Sequence, residues 1–126
     1  MSAEPYGVLR ERFRPKQTRV LLIGESRPAN GSFFFAGDSK LARHAREAFE
    51  VEYGPFPDVA TFLRCFQSLG CYLIDLCPTP VNHLSRAERK RERRNGEPML
   101  AHALGELKPH ALIVVMKAIA PLSGVW

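Results

Sequence analysis

An unbroken apolar run, Val20 to Ile23, ends at Gly24 and gives way to a loop carrying Glu25, Ser26, Arg27, Asn30 and Ser32, with Phe33, Phe34 and Phe35 directly behind it. A carboxylate, a hydroxyl, a guanidinium and an amide beside a planar aromatic wall are groups that hold a flat, polar ligand such as a nucleobase. In an open parallel sheet a ligand sits just outside the carboxyl ends of the strands, where this loop would lie. A second carboxylate, Asp75, stands inside the apolar stretch Cys71-Tyr-Leu-Ile-Asp-Leu-Cys77. Burying it without partners is unfavourable, so it must reach the strand end, find donors, or take up a proton. Two readings stay open for Asp75 and for Glu25: a carboxylate tied to neighbouring loop amides, or a contact to the edge of a ligand.

Other chemistries find less support. Neither GxGxxG nor GxxxxGK[ST] occurs around Gly24 and Gly31, which sets aside a Rossmann dinucleotide site and a P-loop. Ser26 lacks the GxSxG elbow of a hydrolase nucleophile. His44, His83, His102 and His110 show no metal-ligand spacing. Of these, His83 is the best site candidate, because it follows Pro80-Val-Asn82 in the loop after the second strand. Cys65, Cys71 and Cys77 form no CxxC pair. They read as free thiols, and no metal or organic cofactor is expected.

The elements that must position these groups follow from the apolar pattern. Strand one runs from about Thr18 to Glu25, and Pro28-Ala-Asn-Gly31 is turn chemistry. Asp38 or Ser39 caps a helix reaching about Tyr53, stopped by Gly54-Pro55. Pro57-Asp58 opens a second helix with Val59, Phe62, Leu63, Phe66 and Leu69 at helical spacing. Strand two is Cys71 to Cys77. Ser85 caps a third helix and pairs with Glu88 as a capping box. Asn95-Gly96 and Pro98 interrupt that helix, which resumes with Met99 and Leu100 and ends at Lys108-Pro109. Strand three is Ala111 to Met116, apolar throughout as an interior parallel strand would be. Lys117 to Trp126 reads as the start of a further helix. The order strand, helix, helix, strand, helix, strand implies an α/β fold, a three-layer α/β/α arrangement with a mainly parallel sheet. An irregular segment, residues 1–17, precedes one α/β domain over residues 18–126.

The chain has 126 residues and a net charge of +5. Much of that charge lies in Arg86-Ala-Glu-Arg-Lys-Arg-Glu-Arg-Arg94, six basic side chains against two acidic. The run is either a solvated helix face or a contact to nucleic-acid phosphates. No apolar stretch is long enough to cross a membrane, and no secretory signal opens the chain. A cytoplasmic protein is expected.

These motifs, in this order, resemble the uracil-DNA glycosylase superfamily. Ile23-Gly-Glu-Ser-Arg-Pro28 and Phe34-Phe-Ala-Gly37 are similar to its first loop and the aromatic segment behind it. Tyr72-Leu-Ile-Asp75 with Pro78, Pro80 and Asn82 is similar to its second strand and proline-bearing loop. Leu104-Gly-Glu-Leu-Lys-Pro109, Leu112-Ile-Val-Val-Met116 and Ala118 are similar to its later helix and strand. The resemblance implies a glycosylase-like α/β domain that hydrolyses the N-glycosidic bond of a damaged base flipped out of DNA. Glu25 or Ser26 would lie nearest the water that attacks the sugar, Phe34 or Phe35 would stack on the base, and Asp75 would read its edge. Arg27, Asn30, Asn82, His83, Arg89, Lys90 and Arg93 would contact DNA.

The chain also departs from the pattern. Asp75 stands where the family has an asparagine, and Arg27 where it has the first proline of its loop. The four-cysteine pattern is absent, so no iron–sulfur centre is expected. The family's last strand and its His-Pro-Ser-like loop would follow residue 126, which implies a domain lacking its C-terminal part and weak or absent activity. The alternatives are a non-enzymatic nucleic-acid or nucleotide-binding domain, and an interaction domain that pairs as a homodimer through an uncovered sheet edge.

Overall fold

The computed structural model describes residues 5–115. Three strands, β1 (Val20–Gly24), β2 (Cys71–Asp75) and β3 (Ala111–Val114), form one parallel sheet in the order β2-β1-β3. Four helices accompany them: α1 (Pro5–Arg12), α2 (Lys40–Tyr53), α3 (Val59–Ser68) and α4 (Arg86–Leu107). The register pairs Val20 with Cys71 and Ala111, and Gly24 with Asp75. The carboxyl ends of the strands are therefore level, and the loops that leave them meet. The fold is α/β with an all-parallel sheet, as the sequence predicts.

Local chemistry explains most of the element ends. The Ser39 side chain accepts the Ala42 N–H and starts α2, and Asp58 does the same for Thr61 at the start of α3. Ser85 and Glu88 complete the capping box of α4. Such caps satisfy N–H groups that have no partner inside the helix. Gly70, at φ +77°, makes the turn from α3 into β2.

Four expectations need correction. Residues 5–12 of the segment read as irregular form the helix α1, with Pro5 at its first position, where a missing N–H costs nothing. α4 is one helix of 22 residues, running through Gly96 and Pro98 without a break. Gly96 there packs against the Leu76 carbonyl with no room for a side chain, so close packing holds the helix across its weak formers. β3 is at the sheet edge among the described residues, and Ile113 is 49% exposed. The predicted helix start at Lys117–Trp126, Met116 and Ala118 lie outside the described residues.

The fourth correction concerns the aromatics. Phe34 and Phe35 are 4% and 1% exposed. Phe34 lies 5.1 Å from the Phe66 ring, and Phe35 lies 5.5 Å from Tyr72. Burying such rings is a large hydrophobic contribution, and it ties the turn after the first loop to α3 and β2. Phe35 is a core residue and not a stacking platform.

Candidate functional site

A cleft of about 350 Å³ opens at the carboxyl ends of β1 and β2. Ser26, Arg27 and Pro28 reach it from the loop after β1, Phe33 and Phe34 from the turn that follows, Ser39, Lys40, Leu41 and His44 from the start of α2, and Leu73 and Asp75 from β2. Most of its wall surface is apolar, broken by the polar groups of Ser26, Arg27, Ser39, Lys40, His44 and Asp75, a make-up compatible with a small-molecule site.

The loops around it are stitched together by side chains the sequence marks as ligand contacts. Ser26 Oγ accepts the Val81 N–H at 3.2 Å, and Asn82 Oδ1 accepts the Ala29 N–H at 3.2 Å. Arg27 donates from Nη1 to the Pro78 carbonyl at 2.9 Å and lies 4.4 Å over the Tyr6 ring. Asn30 Oδ1 accepts from Ser32 N–H and Oγ at 3.0 and 2.7 Å, and Asp38 Oδ1 accepts the Phe33 N–H at 2.8 Å. The bonds to Val81, Asn82 and Pro78 fix the loop after β1 against the loop after β2, and those of Asn30 and Asp38 shape the first loop itself.

Asp75 sits at the floor of the cleft with its side chain 12% exposed. Arg10 approaches it at 3.8 Å. Among the described residues no hydrogen bond reaches its carboxylate. Burial pushes its pKa up to about 6, against the opposing pull of Arg10 and Arg27. Arg10 is itself spread over the Phe33 ring at 5.3 Å, and its buried Nε has no hydrogen-bond partner among the described residues.

Glu25 does not share this cleft. Gly24 is level with Asp75, so the next residue turns to the opposite face. There Glu25 meets α4: Arg93 Nη1 donates to Oε2 at 2.8 Å, Arg89 Nε to the same oxygen at 3.3 Å, and Arg89 Nη2 to Oε1. Burial would raise its pKa, but the bonds and charges of the two arginines outweigh this and hold it below the usual carboxylate value. The resemblance implies that Glu25, a phenylalanine and Asp75 act on one base, and this is corrected: Asp75 and Phe34 line the cleft with Ser26 and Arg27, and Glu25 is held away from them.

The remaining candidates scatter. Asn82, His83 and Lys90 are exposed, and Arg89 and Arg93 are engaged by Glu25. The sequence reading missed Arg10, Tyr6 and the α2 residues Lys40, Leu41 and His44. The last three could have been found by placing the α2 start beside the loop after β1. It also missed a depression of about 370 Å³ that gathers Arg14, Lys16, Arg19 and Arg64 at the amino-terminal end of β1 and β2. Cys71 and Cys77 are buried free thiols, and burial pushes Cys77 up to about 11, which leaves it a poor nucleophile. Among the described residues no three His, Cys, Asp or Glu side chains come together as a metal site requires, and no helix is long and apolar enough to cross a membrane.

Compared with known proteins, the chain matches no protein-family model, no curated protein and no solved structure.

Proposed function

We propose that this chain is a uracil-DNA glycosylase-like protein whose cleft receives one base extruded from DNA. The observation that carries the reading is the placement of Asp75, an almost buried carboxylate, on the floor of a cleft walled by Phe33 and Phe34 at the carboxyl ends of β1 and β2. An extruded base needs this combination of an apolar slot for its faces and a polar group for its edge. Arg27 and Lys40, which line the cleft, offer positive charge to the DNA backbone on either side of the base.

In the family's reaction a water oxygen bonds to the sugar C1′, the C1′–N bond breaks, and its electron pair leaves on the base. The water's proton must pass to a base nearby. Ser26 lies in the loop that would hold this water. Glu25, the other candidate, is engaged by Arg89 and Arg93. That engagement favours a second reading, in which the cleft binds the base without hydrolysing its bond.

One assay separates the two. Duplex oligonucleotides carrying uracil, hypoxanthine or xanthine are incubated with the full chain and treated with alkali, and a parallel duplex carrying 2-aminopurine reports extrusion by fluorescence. Alkali-labile sites are the outcome expected of a glycosylase. A fluorescence rise without cleavage establishes the binding reading. Neither signal overturns both.

A further inference from the structure

Three of the polar side chains that line the cleft have hydrogen-bond partners within the protein. Ser26 accepts from Val81, Arg27 donates to Pro78 and lies on Tyr6, and the buried Ser39 hydroxyl accepts from Ala42. Asp75 differs. Among the described residues it accepts no hydrogen bond, although its side chain is 12% exposed and Arg10 stops at 3.8 Å. The nearest backbone donors along the chain are turned elsewhere: Leu76 N–H goes to the Gly24 carbonyl at 2.8 Å, and Cys77 N–H to the Glu25 carbonyl at 2.7 Å. An ionised carboxylate offers about four acceptor positions and no donor. Acceptor positions that the protein leaves unfilled are unfavourable when buried, and an occupant of the cleft that brings donors would fill them.

We propose that Asp75 makes the cleft selective for a ring edge that presents two adjacent N–H donors, the pattern of guanine's N1–H and exocyclic amino group. The two carboxylate oxygens can take one hydrogen each, side by side, as they do from a guanidinium. A uracil edge alternates acceptor, donor and acceptor, so it sets a carbonyl oxygen against a carboxylate oxygen. An edge that lacks the amino group fills only one of the two acceptors. The cleft, at about 350 Å³, has room for a purine. This inference rests on the base-binding reading above.

The test uses the full chain at pH 8 and four duplexes in which guanine, hypoxanthine, adenine or uracil stands opposite an abasic site. A fifth duplex, abasic on both strands at that position, is the control. Guanine should bind about tenfold tighter than hypoxanthine, the span of one good edge contact, and uracil should be weaker still. Asp75→Asn should level guanine and hypoxanthine. Should that variant fold poorly, the ratio measured on the unaltered chain still decides. Equal affinity for guanine and hypoxanthine, both tighter than the control, overturns the selectivity and leaves base binding standing. Affinities all equal to the control overturn base binding as well.

Discussion

Gly24 and Asp75 are register partners on neighbouring strands, and the carboxylate of Asp75 occupies the space that a side chain on Gly24 would fill: a Cβ there would lie 2.6 Å from Oδ1. The glycine that ends β1 is thus needed for room and not for its backbone angles. Gly24→Ala should displace the Asp75 carboxylate. The expected result is a loss of about 1–2 kcal/mol from overpacking, seen in urea unfolding, together with loss of the guanine preference. An unchanged preference would show that Asp75 has slack the register does not suggest.

Asp75 should also give the protein a distinctive pH response. Its pKa is raised from 3.8 to about 6 on folding. The folded state then binds more protons than the unfolded one between these values, so this residue makes stability fall as pH rises through that window. The full effect is roughly 3 kcal/mol, at 1.36 kcal/mol per pH unit. Asp75→Asn removes the slope, so the variant should gain on the unaltered chain between about pH 4 and pH 6 and keep the gain at pH 8. Arg10 and Arg27 face the carboxylate, and Lys40 and His44 share the cleft. The comparison is best made in a His44→Gln background, which takes the imidazole out of the cleft. A stability difference flat with pH would show that Asp75 is not desolvated as the fold places it.

What was legible in the chain was local. Ser39, Asp58, and Ser85 with Glu88 are caps whose partners lie three residues away, and each forms as expected. Asp75 stood out because a carboxylate inside an apolar strand has few innocent explanations. The fate of Glu25 could not be read: its partners lie 64 and 68 residues along the chain, in a basic run where no single arginine is distinguished by its neighbours. Phe35 misled because an aromatic ring beside a polar loop looks the same in sequence whether it faces a cleft, as Phe34 does, or a core. Arg10 lay hidden because α1 is too short for its pattern to show.

α4 holds a matched pair of glycines that should respond in opposite directions. A Cβ on Gly96 would run into the Leu76 carbonyl, which is backbone and cannot move aside, whereas the space around Gly105 is open. Gly96→Ala should cost about 3 kcal/mol, because α4 must shift off the segment after β2. Gly105→Ala should instead gain about 0.5–1 kcal/mol, from the helix preference of alanine. Thermal unfolding of the two variants decides it. If Gly96→Ala is neutral, α4 is not seated against Leu76.

Glu25 should behave as a fastener between the loop after β1 and α4. Its side chain is 14% exposed, and both oxygens are engaged by Arg89 and Arg93. Glu25→Gln leaves the two guanidiniums facing each other without their counter-charge, a change that should cost roughly 2–4 kcal/mol near neutral pH. The sign with pH is opposite to that of Asp75. A carboxylate held below its ordinary value of 4.5 contributes fully above that value and loses its contribution as pH falls through the lowered one. The difference between the unaltered chain and Glu25→Gln should therefore be constant above about pH 5 and shrink in acid. Base binding in the cleft should survive the substitution, because Glu25 is on the other face of the sheet. If Glu25→Gln unfolds no more easily but abolishes base binding or cleavage, Glu25 serves the ligand and not the fold.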